Sequence, residues 1–259
     1  MPTITIDTRL VATPWLVQFI GSDQIARFGP DHPLKPISRL QNVGDELTVH
    51  ETGALFALET AARAIRAHLF QRTPDVRLIR HLRNESSCRA LLFEAMVLSL
   101  LVEPYVRDVE WRRYESAGSD IVAHDPNLQI ECRQLRRYSL PDMLERVTTK
   151  RKRAQRHDGE GPFLLVVGAE TEQQRHIVND LSQRLHSSLS EWMGRHPEIA
   201  GIYFAAPTDL IARGRVAPID DDSVSIQVNH FTGFAVRDLK ATDPLPPDFE
   251  QNWASQPSP

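Results

Sequence analysis

The chain is poor in cysteine and in long apolar runs, and each shortage excludes a class of protein. Two cysteines among 259 residues, Cys88 and Cys132, cannot build a disulfide framework or a cysteine-rich zinc site. The longest apolar-dominated stretch, Ala90 to Val102, contains Glu94 and Ser99. It is too short and too polar for a membrane span. The opening MPTITIDTRL has no basic region followed by an apolar one, so no secretory signal is expected. No G-x-x-x-x-G-K-[ST], G-x-G-x-x-G or G-x-S-x-G occurs, which argues against a P-loop NTPase, a nucleotide-cofactor enzyme and a serine hydrolase. The ten histidines show no HExxH or other paired metal spacing. An excess of one charge is also missing. Thirty Lys+Arg stand against thirty-four Asp+Glu, a net of -4, which excludes a globally basic nucleic-acid binder but not a local basic patch. What remains is ordinary: 41% hydrophobic and 25% charged residues, as in a soluble globular protein. The expectation is a cytoplasmic, reduced protein of about one or two domains with enough chain for a real core.

Residues 1–85 carry weak signals. Thr3 to Ile6 alternates like a short strand, and Trp15 to Ile20 reads as another. Pro30, Pro33 and Pro36 then interrupt the chain. From Thr52 to Gln71 the residues Leu55, Leu58, Ala62, Ile65 and Leu69 recur at spacings of three and four, which predicts an amphipathic helix. That helix either packs on the same core or dimerises. A second helix is predicted from Ser87 to Val102, capped by Ser86 or Ser87. Strands are predicted at Val106 to Arg112, Asp120 to Ala123 and Gln129 to Leu135, the last two joined by a turn at Asp125-Pro126-Asn127. Pro141 to Arg156 reads as a helix, and Phe163 to Val167 as a fully buried strand. A long helix is predicted from Thr171 to about Arg195, then strands at Ile199 to Ala205 and Val224 to Val228. The proline-rich tail, 241–259, reads as disordered.

Chemistry concentrates between Glu94 and Gln134. Asp120 opens one predicted strand, and Ile130-Glu131-Cys132-Arg133-Gln134 lies on the next. Alternation sets Glu131 and Arg133 on one face and Ile130, Cys132 and Gln134 on the other. If the two strands form a hairpin, Asp120 comes close to Glu131. Two neighbouring carboxylates repel unless a cation lies between them, and an oxygen-rich site suits a hard cation such as Mg²⁺.

In these features the segment from about Ser87 to Ala206 resembles the restriction-endonuclease-like PD-(D/E)XK nuclease superfamily. Glu94 in LLFEAMVLSLL corresponds to the family's helix acid, Asp120 in SAGSDIV to its metal-binding Asp, and Glu131 in IECR to its second acid. Arg133 stands where the family has lysine, and Ser119 where it has proline. The resemblance implies an α/β fold: a mixed central sheet flanked by helices, with a restriction-endonuclease-like core at 86–240 and an additional, mostly helical region at 1–85. It implies a metal-dependent nuclease acting on DNA. Asp120, Glu131 and the Cys132 carbonyl would ligate Mg²⁺ or Mn²⁺, Glu94 would orient a water, and Arg133 would contact the scissile phosphate. The alternative is a catalytically inactive nucleic-acid-binding or protein-interaction module of the same fold, its lysine lost.

A basic segment favours a polyanionic partner. From Arg133 to Arg156 there are nine Lys/Arg against Asp142 and Glu145, a net of +7. Arg136, Arg137, Lys150 and Arg153 are the candidates to hold the phosphate backbone. Bland roles stand beside these. Glu94 can pair with Arg89 or Arg112, Glu131 with Arg133 on the surface, and 149–156 can be a solvated helix face. Cys88 and Cys132 read as small buried hydrophobes.

Overall fold

A computed structural model describes residues 3–5, 13–39, 46–69, 76–102, 108–112, 118–125, 127–134, 145–146, 148–149, 151–152, 163–168, 195, 199–205, 215–220, 223–227 and 231–236. The chain divides into two compact units, Met1–Ser99 with Pro207–Asn229 and Leu100–Ala206 with His230–Pro259.

The first unit contains five α-helices among its described residues: α1 (Thr13–Ile20), α2 (Ser22–Arg27), α3 (Val49–Leu69), α4 (Val76–Arg83) and α5 (Glu85–Val97). The antiparallel pair β1 (Thr3–Thr5) and β2 (Glu46–Thr48) also belongs to it. The first strand predicted from sequence is present as β1. The second is not: Trp15 to Ile20 lies inside α1. Its apolar residues satisfy a helix because Leu16 and Ile20, four apart, are both buried, and Trp15 meets Phe19 at a centroid distance of 4.6 Å. Pro14 sits in the first turn, where its missing N–H costs nothing. Glu59 on α3 accepts from the Thr13 N–H at 3.1 Å and so satisfies one of the orphan donors at that helix start. Gly21, with φ of 93°, turns the chain from α1 into α2, a conformation that a side chain would strain.

Helix α3 buries Leu55, Leu58, Ala62 and Ile65, as the periodicity predicts, and packs mainly on α5. Helix α5 starts earlier than predicted. Asn84 is its N-cap, and the Asn84 side chain accepts from the Ser87 N–H at 3.0 Å. Residues 91–98 are all buried, so α5 is an embedded helix with no wet stripe through that span. The α-helix ends at Val97, and Leu98–Val102 forms a π-helical turn. The hairpin of β8 (Arg215–Asp220) and β9 (Ser223–Gln227) falls in this unit, and β9 covers most of the predicted strand at 224–228.

The second unit is built on a six-stranded mixed sheet. Its members are β3 (Asp108–Trp111), β4 (Ile121–Asp125), β5 (Asn127–Gln134), β6 (Phe163–Gly168), β7 (Ile199–Ala205) and β10 (Phe231–Val236). Their order across the sheet is β10-β7-β6-β5-β4-β3. Strands β3, β4 and β5 run as an antiparallel meander, β5, β6 and β7 are parallel, and β10 returns antiparallel to β7. A mixed sheet accompanied by helices makes the chain α/β. Every residue of β6 is buried, as a continuous apolar run in a central strand requires. The parallel connection from β5 to β6 needs a crossover, and the described part of it is helical at residues 145, 146, 148, 149, 151 and 152. Of the helix predicted at 171–195 only Arg195 is described, in helical conformation. The tail at 241–259 lies outside the described residues.

Candidate functional site

The geometry of the site follows from where β4 begins. Its ladder with β5 pairs Ile121 with Ile130 and extends no further toward the start of β4. Strand β5 continues to Gln134, with Glu131, Cys132, Arg133 and Gln134 paired to β6 on the other side. The sheet therefore parts between β4 and β5 at this point, and the β4-facing backbone groups of the Glu131–Gln134 stretch need other partners.

Asp120 supplies one of them. It lies immediately before β4, rather than inside the strand as the sequence suggests. The Cys132 N–H donates to Asp120 Oδ2 at 2.8 Å. On the opposite side the Asp120 carbonyl accepts from the Arg112 N–H at 2.9 Å, one step beyond the Trp111–Ile121 pair. Asp120 thus joins β3 through its main chain to β5 through its side chain. It is 8% exposed, and Ser119 before it is buried too.

Glu131 and Arg133 share a face of β5, as alternation predicts, and they form an ion pair through Glu131 Oε1. The pair is not the surface contact considered from sequence. The Glu131 side chain is 1% exposed, whereas that of Arg133 is 39% exposed. Arg133 therefore neutralises a buried acid and still reaches the surface. Its guanidinium remains protonated and cannot serve as a base.

The donor set here is oxygen-rich: the Asp120 and Glu131 carboxylates and the Cys132 carbonyl. In an extended strand the N–H and C=O of one residue point to the same side. The Cys132 carbonyl is accordingly directed to the side on which its N–H meets Asp120. Carboxylates and a main-chain carbonyl suit Mg²⁺ or Mn²⁺ in chemical type. Among the described residues no three His, Cys, Asp or Glu form a metal-holding group. Two protein acids and a carbonyl are thus the donors to be weighed.

Arg112 donates to Glu110 Oε2 at 2.7 Å, and His124 lies 3.6 Å from the same oxygen. The Arg112 hydrogen bond, first, and its charge hold the Glu110 carboxyl below its ordinary range. Arg89, in the first unit, pairs with Glu85. Glu94 is buried on α5, in the first unit, at 4% exposure. Neither cysteine is in a disulfide and both are buried, as read from sequence, and burial pushes the Cys88 thiol far up.

The basic segment divides in two. Arg146 and Lys152 are exposed, but Arg151 is 2% exposed, which corrects its place in a solvated stripe. Its guanidinium donates to the Gln129 side chain on β5 and lies 5.2 Å from the centre of the Phe163 ring on β6. Arg151 is a clasp between the crossover helix and the sheet, and sequence reasoning missed it. The signal was faint: alternation sets Gln129 on the face of Glu131 and Arg133, and a buried amide needs a partner. Arg136, Arg137, Lys150 and Arg153 lie outside the described residues.

No family model, curated protein or solved structure matches the chain. No helix among the described residues is long and apolar enough to cross a membrane.

Proposed function

We propose that the second unit is a restriction-endonuclease-like domain that hydrolyses the phosphodiester backbone of DNA. The observation that carries this reading is the hydrogen bond from the Cys132 N–H to Asp120. It sets one acid at the parting of two strands, beside a second strand that bears Glu131 and Arg133. The order of antiparallel and parallel strands around β5 supports the same reading, because it agrees with the mixed sheet that the resemblance implies.

In this reading Asp120, Glu131 and the Cys132 carbonyl hold Mg²⁺ or Mn²⁺. When bound, the cation supplies Lewis-acid charge to the phosphoryl group and acidifies water. The protein does the positioning. Asp120 is fixed from two strands, so its carboxylate has little freedom to lose on ligation. Arg133 has five N–H donors in a fixed fork. Some hold Glu131, and the exposed remainder can bind a phosphate oxygen and stabilise the charge that grows there in the transition state. Purified protein with Mg²⁺ or Mn²⁺ is expected to cut at least one of plasmid, linear, branched or single-stranded DNA, and Asp120→Asn to lose that cleavage. If all four substrates stay intact, the hydrolytic reading fails.

One observation favours a second reading, a nuclease-fold module that binds without cutting. Glu131, the acid on which cation binding depends, already carries an arginine on Oε1. Calorimetry with Mn²⁺ separates the two readings. The hydrolytic one expects a site that Asp120→Ala removes, and the binding one expects no heat. Gain of cleavage in Arg133→Lys would mark a site that is intact but disarmed.

A further inference from the structure

The first unit carries a cationic surface of its own. Helix α4, VRLIRHLR, contains no acidic residue and carries Arg77, Arg80, His81 and Arg83. At 100° per residue Leu78 and Leu82 fall on one face. Both are completely buried, and α4 packs on α5 and α1. Arg80 falls opposite that apolar face, flanked by Arg77 and Arg83, and all three are exposed. The surroundings share this bias. Between Arg63 and Arg89 there are seven arginines, no lysine and two acids, Asp75 and Glu85, a net of +5 in a chain whose total is -4.

We infer that α4 is a docking helix for the phosphate backbone of a nucleic acid, gripped by Arg77, Arg80 and Arg83. The identity of the polyanion rests on the reading above, but the contact needs no hydrolysis. Three properties favour this partner. Leu78 and Leu82 of α4 are spent on its own core, and a single exposed valine, Val76 at 70%, is too little apolar surface to insert into lipid or to lay in a protein groove. What it presents is charge. That charge is all arginine, whose planar fork matches phosphate oxygens bidentately. The three side chains also rise along the helix by about 4.5 Å each, against one phosphate of each strand per about 3.4 Å of duplex axis. Their stripe therefore spans two to three phosphates.

The test is binding of the full chain to a labelled DNA duplex in EDTA, which suppresses cleavage, as a function of salt. Arg77→Ala/Arg80→Ala leaves Arg83 in place, because Arg83 also donates to the Ile20 carbonyl at 3.1 Å. Each lost phosphate contact makes the slope of log K against log salt shallower by about 0.9. The double variant is therefore expected to show a slope shallower by about 1.8. Between 50 and 200 mM salt it should lose about tenfold less affinity than the parent. Its melting temperature should be unchanged, since neither side chain is in the core. Arg80→Glu, at the centre of the solvent face, should weaken binding further. The inference is overturned if the double variant melts like the parent and keeps its slope. It is also overturned if the chain binds phosphatidylserine vesicles and not DNA. Asp120→Asn separates the two proposals. A parent that cleaves but whose α4 variant binds normally sinks only the docking helix. A parent that docks through α4 and never cleaves sinks only the hydrolytic reading.

Discussion

The Cys132 N–H and the Asp120 carboxylate are joined by a buried hydrogen bond of 2.8 Å, formed just before β4 begins and beside a stretch of β5 that β4 does not reach. This bond gives Asp120 a structural task that is separable from any role in holding a cation. Asp120→Ala leaves a buried strand N–H without its acceptor, at a cost of about 1–3 kcal/mol. Asp120→Asn keeps an acceptor oxygen in the same place and removes the charge. Urea denaturation should therefore find the Asn variant close to the parent and the Ala variant less stable. Both should lose cation binding and cleavage. An Asn variant as unstable as the Ala variant would mean that the charge, not the acceptor, holds the strands.

The Arg133–Glu131 pair predicts an asymmetry between its partners. Arg133→Ala strips a 1%-exposed carboxylate of its counter-charge, and the expected loss is about 1.5–3 kcal/mol, toward the lower end because Arg133 itself is 39% exposed. Arg133→Lys retains a cation and should cost less. Glu131→Gln leaves the half-exposed arginine to water and should cost least in stability, while removing a carboxylate from the oxygen set. Denaturation midpoints of the three variants test this order. A Glu131→Gln variant less stable than Arg133→Ala would contradict it.

How far the sequence foretells this site depends on the length scale. Strands β4, β5 and β6 are legible because alternation and an unbroken apolar run are local properties, and the face shared by Glu131 and Arg133 follows from period two alone. The bond from Asp120 to Cys132 is not legible, because it exists only where one strand ends before its neighbour. Trp15 to Ile20 misleads because W-L-V-Q-F-I suits a strand by composition. Its helical character rests on burial of Leu16 and Ile20 together, which the rest of the unit supplies. Helix α4 is hidden for the opposite reason: only Leu78 and Leu82 anchor it among arginines. Strand β10 carries Gly233 and β8 carries Pro218, residues that demote a strand when read without a partner.

Arg151 is expected to behave unlike its basic neighbours. Its removal leaves the fully buried Gln129 amide without its donor and takes a cation from the Phe163 ring. Arg151→Ala should therefore cost about 2–3 kcal/mol and leave the salt dependence of DNA binding unchanged. Arg151→Lys should not restore stability fully, since a point charge cannot reproduce a planar fork. The exposed Arg146 and Lys152 should do the reverse on replacement by alanine. Stability should change by less than about 0.5 kcal/mol, and each substitution should lower the salt slope by about 0.9 if the residue meets a phosphate. Thermal melts and salt titrations on these four variants decide between the roles.

His32 predicts how the first unit responds to pH. Its Nδ1 accepts from the Leu34 N–H at 3.2 Å, and its ring stacks on Phe28 at a centroid distance of 3.7 Å. An accepting Nδ1 requires the neutral ring. Burial lowers the pKa of His32 below its ordinary 6.5, with Arg89 acting in the same direction and the Arg83 backbone and Glu85 opposing. The sign then follows from linkage. Below 6.5 the unfolded chain takes up a proton at this position while the folded chain does not, so stability falls as pH falls, until the lower folded-state pKa is passed. Above 6.5 both states are neutral and the effect vanishes. For one proton the slope is at most about 1.4 kcal/mol per pH unit. His32→Asn can keep a side-chain acceptor for the N–H two residues ahead, and it has nothing to titrate. Urea midpoints measured at pH 7.5, 6.5 and 5.5 should thus converge for the Asn variant relative to the parent. An equal decline in both proteins would assign the acid sensitivity to another histidine.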